Sequence, residues 1–127
     1  MCLASKYFDQ IEVMLKAIDG DIEKLCKKQA EYDRMINQYY HHLETTKFNA
    51  CEGYYIAKNF QTELQKRRLV KGELSRLQTL KEALQSQAVN KSLHKAKSTV
   101  KKSKEKGRKW CKNFNFTFSD IEEEIMH

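Results

Sequence analysis

Between residues 90 and 112, ten lysines and arginines stand beside a single acid, Glu105, so this short stretch carries a net charge of +9. The cations are Lys91, Lys95, Lys97, Lys101, Lys102, Lys104, Lys106, Arg108, Lys109 and Lys112. Positive side chains at this density neutralise phosphates and release condensed counterions, a sequence-independent and salt-sensitive chemistry. Trp110 lies within the run, where an indole could stack on a base. A smaller cationic group, Lys66, Arg67, Arg68 and Lys71, lies upstream. The candidate nucleic-acid-binding residues are therefore Lys66, Arg67, Arg68, Lys71, Lys95, Lys97, Lys101, Lys102, Lys104, Lys106, Arg108, Lys109 and Trp110. The bland uses of the same charges are a solvated helix face and a solubilising tail. Base-specific readout has no support, because no helix-turn-helix or zinc-finger spacing is present.

Aromatic residues form the second group. Tyr32, Tyr39, Tyr40, Phe48, Tyr54, Tyr55 and Phe60 flank a break in hydrophobic periodicity at residues 44–49. They would converge if the chain folds back there, either as a plug that sets the turn or as an exposed anchor for a partner. Tyr39, Tyr40, Phe48, Tyr54 and Tyr55 are the candidate partner-binding residues. Catalytic patterns do not emerge: there is no phosphate-cradling glycine loop, no HExxH and no GxSxG. His41 and His42 lie near Tyr39, Tyr40 and Glu44, but no second catalytic component converges with them. Cys2, Cys26, Cys51 and Cys111 form no CxxC and have no histidine at ligand spacing, so reduced thiols are expected. No metal, no cofactor and no enzymatic activity are expected.

The elements that must position these groups are helices. The 127 residues are 40% hydrophobic and 32% charged, with no proline and only four glycines. Such a chain favours long helices, and all-α is the expected class. Phe8, Ile11, Leu15, Ile18, Ile22, Leu25, Gln29, Tyr32, Ile36, Tyr39 and Leu43 alternate steps of three and four, the a/d spacing of a coiled coil. Gly20 falls inside this run without shifting it. Asn49 followed by Glu52 reads as a capping box starting a second helix. Its apolar positions, Tyr55, Ile56, Phe60, Leu64, Val70, Leu74, Leu77, Leu84 and Ala88, keep a looser register. Arg67 and Lys81 occupy seam positions, which suggests that the charged face touches something besides helix 1.

Two helices of similar length predict an antiparallel helical hairpin over residues 1–89. Its single narrow seam is marginal for its length, so dimerisation into a four-helix bundle is expected. Residues 90–112 read as a basic segment, solvated, flexible or conditionally helical. Residues 113–127 carry four acids and no lysine or arginine, with a period-two Phe114, Phe116, Phe118 pattern of β character. Ser119 to Glu122 suggests another capping box. No stretch approaches the roughly 20 apolar residues needed to span a bilayer, and a cytoplasmic chain is the simplest expectation.

The runs Asn49-Ala50-Cys51-Glu52-Gly53-Tyr54 and Arg67-Arg68-Leu69-Val70-Lys71-Gly72-Glu73-Leu74 resemble small helical proteins encoded by bacteriophages of Gram-positive hosts. The resemblance covers about residues 30–85 and carries no active site. It implies a phage setting, where small non-enzymatic proteins bind and block host machines, including nucleic-acid-guided defence nucleases in the manner of anti-CRISPR proteins. Mimicry of DNA is disfavoured, because a mimic would be acidic. The expectation is a binding protein engaging a host protein or nucleoprotein, alternatively a nucleic-acid-binding accessory protein using the lysine-rich segment.

Overall fold

The computed structural model describes residues 2–126, which form four helices: α1 (Leu3–Thr45), α2 (Ala50–Leu84), α3 (Gln87–Trp110) and α4 (Phe118–Met126). No strand is present among the described residues. α1 runs unbroken through Gly20, where an added Cβ would meet nothing within 4 Å. The glycine is therefore tolerated, and no packing contact demands it.

α1 ends at Thr46, whose backbone N–H donates to the His42 carbonyl. The reversal is short because α2 is capped at once. Asn49 Oδ1 accepts from the Glu52 backbone N–H at 2.9 Å, and the Asn49 N–H donates to Glu52 Oε2 at 3.4 Å. Gly53 follows inside the first turn, and the Phe48 ring lies 3.1 Å from where its Cβ would be. A side chain there would displace the ring that closes the loop.

The two long helices then pack antiparallel as a hairpin. Tyr39 and Tyr40 meet Phe60 near the reversal, Asp33 meets Arg67, and Asp19 meets Lys81 farther down. The α2 seam is as regular as that of α1 once its polar members are counted. Ile56, Phe60, Glu63, Arg67, Val70, Leu74, Leu77, Lys81 and Leu84 alternate steps of four and three, and each is buried or half-buried. Leu64, expected on the seam, is 38% exposed, and Glu63 takes its place.

Arg67 and Lys81 do not reach beyond the hairpin. Arg67 Nε binds Asp33 Oδ1, and Lys81 Nζ lies 2.8 Å from Asp19 Oδ1. Both seam cations are thus neutralised by helix 1, which corrects the expectation that they contact something else. Asp19 and Asp33 are two heptads apart, as are Arg67 and Lys81, so both bridges lie on one side of the hairpin. The apolar core is thin: among the described hydrophobic residues only Ile18, Ile36 and Leu74 are buried.

α2 stops at Gln85, and Ser86 caps a new helix where flexible chain was one expectation. α2 thus ends before residue 89, and most of the basic segment lies in the helix that follows. The β character read at residues 114–118 is not realised. Phe114 and Phe116 stack with centroids 6.2 Å apart, and α4 begins at Phe118. Its start is also shifted from the expected Ser119: the Thr117 N–H donates to Asp120 Oδ2 at 2.7 Å. α4 packs against none of the other three helices.

Candidate nucleic-acid interface

α3 forms because its chemistry supports a helix despite its charge. Lys and Ala are good helix formers, no proline interrupts, and the Ser86 hydroxyl accepts from the Val89 N–H at 3.4 Å. Arg108 and Lys109 sit in the last turn, where cations complement the negative end of the helix dipole. Val89, Leu93, Val100 and Gly107 are half-buried and recur at helical spacing, defining the inner line of α3.

This inner line divides the nine cations of α3, Lys112 lying beyond its end. Lys97, Lys101, Lys104 and Arg108 border a groove against the start of α1, together with Ser5, Phe8, Asp9, Val100 and Glu105. Lys97 Nζ lies 5.9 Å from the centre of the Phe8 ring, and Lys104 Nζ donates to Ser5 Oγ at 3.3 Å. These cations help seat α3. Lys91, Lys95, Lys102, Lys106 and Lys109 fall on the opposite face, separated by steps of four, seven, four and three. At 100° per residue they form one stripe about 27 Å long, diametrically opposite Val89, Leu93 and Val100. All five are exposed, and none is in an ion pair among the described residues. Trp110, at the end of α3, is 84% exposed.

The α2 patch is smaller than its sequence suggests. Arg67 is engaged by Asp33, and Lys66 lies 3.7 Å from Glu63. Arg68 and Lys71 remain outside any ion pair among the described residues, beside Leu64, Gly72 and Ser75. The patch therefore supplies two uncommitted cations rather than four. It lies along the middle of the hairpin, apart from the α3 stripe.

The aromatic tip also splits. Tyr39 is half-buried and tilts against Phe60 at 5.6 Å, while Phe48 covers Gly53, so both close the turn. Tyr40, Tyr54 and Tyr55 are more than half exposed even though Tyr40 lies edge-on to Phe60 and Tyr54 edge-on to Tyr55. Sequence reasoning missed Glu63 altogether. This buried carboxylate has one oxygen, Oε2, with no hydrogen-bond partner. Its heptad position was the available signal.

Cys2 caps α1, accepting from the Ser5 N–H at 3.4 Å with its Sγ 3.1 Å from Ser5 Oγ. Hydrogen bonding to Ser5 pulls its thiol below the ordinary range, and nearby Lys104 adds to the effect. All four cysteines are free, and no His/Cys/Asp/Glu group suited to a metal occurs among the described residues. No described helix is long and apolar enough to cross a membrane. No family model, no curated protein and no solved structure matches the chain.

Proposed function

We propose that this chain is a non-catalytic, dimeric binding protein that docks on the phosphate backbone of nucleic acid through α3. The observation carrying this reading is the outward stripe Lys91, Lys95, Lys102, Lys106 and Lys109, five exposed cations on one helix face, none in an ion pair among the described residues. Five phosphate contacts predict a slope of log K against log salt of about −4.5 on duplex DNA and about −3.5 on single strands. The experiment is fluorescence anisotropy with a labelled duplex and a labelled single strand across a salt series. Replacing the five stripe lysines by glutamine should abolish most binding and flatten the slope, whereas Lys97→Gln with Lys104→Gln should leave the slope nearly unchanged. No binding at low salt, or an unaltered five-fold variant, overturns the reading.

The exposed Tyr40, Tyr54 and Tyr55 favour a second reading, in which the same chain engages a host protein or nucleoprotein. The tip and α3 lie at opposite ends of a hairpin about 60 Å long, so a nucleoprotein could be held at both. The resemblance to phage proteins suggests a host defence nuclease as that partner. Substituting all three tyrosines with alanine should keep the anisotropy signal but abolish co-purification of the partner from host lysate.

A further inference from the structure

We propose that a second copy of this chain covers the side of the hairpin opposite the two bridging ion pairs, with the two hairpins antiparallel. The proposal rests on the dimer inferred above and assigns its face and orientation.

The need for a partner is quantitative. The chain exposes 10764 Å² with a mass of 15.0 kDa. A compact monomer of that mass exposes about 7,000 Å², so roughly 3,700 Å² is in excess. Obligate homodimers hide about 2,000–5,000 Å² in total, or about 1,000–2,500 Å² per chain, which this excess readily supplies.

The two sides of the hairpin differ. One is spanned by Asp33–Arg67 and Asp19–Lys81 and is polar. The other carries an open groove in mid-hairpin, floored by Leu25, Leu77 and Leu80 and rimmed by Asp21, Lys24, Glu73 and Arg76. Leu80 is 46% exposed, and Met14 and Met35 continue this side along α1 at heptad spacing from Asp21, 44% and 39% exposed.

The rim selects the occupant. Each helix contributes an acid and a base three residues apart; Glu73 and Arg76 are already paired at 2.7 Å, which leaves Asp21 and Lys24 to meet a second copy. A two-fold axis crossing such a pair at right angles to the helix sets each acid over the base of the second copy, a self-complementary arrangement. Long-range charge selects the orientation. Residues 90–112 carry +9, and α3 sits beside the start of α1 at the open end of the hairpin. Antiparallel hairpins place the two α3 helices at opposite ends of the bundle. Parallel hairpins would bring +18 together at one end, where like charges repel.

Sedimentation equilibrium of the full chain in moderate salt tests the dimer, and two variants test the face. Wild type is expected to sediment as a dimer. Leu80→Glu should weaken dimerisation at least tenfold while keeping the helical circular dichroism of α1 and α2. Asp21→Lys should weaken it, and Asp21→Lys with Lys24→Asp should restore it. A monomeric wild type overturns both dimer and face. A dimer undisturbed by Leu80→Glu and Asp21→Lys leaves the dimer standing and overturns the face. A spin label introduced at Ser86 reads the orientation: an inter-copy distance of several tens of ångströms supports antiparallel hairpins, and a short one overturns them.

Discussion

Glu63 occupies a heptad position with its Oε2 unpartnered, while Oε1 lies 3.7 Å from Lys66 Nζ on its own helix and Lys28 of α1 interacts with it only electrostatically. Burying a polar group without a hydrogen bond costs stability, and a well-packed apolar residue removes that cost. Glu63→Leu should therefore raise stability by about 1–2 kcal/mol, read as a higher urea midpoint. Gly20→Ala should add about 1 kcal/mol, since the position is helical and its Cβ would meet open space. Asp19 behaves in the opposite sense. The hydrogen bond from Lys81 holds its carboxyl below the usual carboxylate range. A depressed folded pKa gives stability that is present above the unfolded value and lost as pH falls through the folded one. The difference in Tm between wild type and Asp19→Asn should thus be largest near neutrality and shrink on acidification below about pH 4. Cys2, with its thiol lowered by Ser5, should be alkylated at neutral pH before Cys26, Cys51 and Cys111, as peptide mapping can establish.

At the scale of elements, α3 is a helix under electrostatic load. Lys91 and Lys95, Lys97 and Lys101, and Lys102 and Lys106 are like-charge pairs four residues apart, each of which destabilises a helix. Salt or a polyanion should relieve that load, so the ellipticity at 222 nm should rise on adding either. A chain ending at Gln85 should show no such rise. The same load explains what the sequence concealed. α1 was legible because ten apolar residues and one glutamine mark its seam. α2 was legible in position and cap, yet its register looked loose because Glu63, Arg67 and Lys81 fill seam positions with charge. In α3, Leu93, Val100 and Gly107 repeat every seven residues, but nine cations outweigh that sparse signal. The stripe itself could be counted from spacing. Its separation from Lys97 and Lys104 required knowing which face meets Phe8 and Ser5. Arg67 was misread for a related reason, because its partner Asp33 lies 34 residues away.

For the whole molecule, the charge distribution divides the hairpin into an aromatic end and a cationic end. Its shape should be evident in scattering: the radius of gyration should exceed the about 14 Å of a compact chain of this length. The thin core should also make Tm rise with protein concentration, as mass action requires when association stabilises the fold. The two residues between α2 and α3, Gln85 and Ser86, have a consequence at this scale. They make α3 a boom mounted on a stiff mast, stayed in its middle and outer part by Lys97 on Phe8 and Lys104 on Ser5. The boom is about 36 Å long, so turning it by ten degrees sweeps Trp110 through about 6 Å. That reach is nearly two base-pair rises of about 3.4 Å, and it requires the Lys97 and Lys104 stays to release.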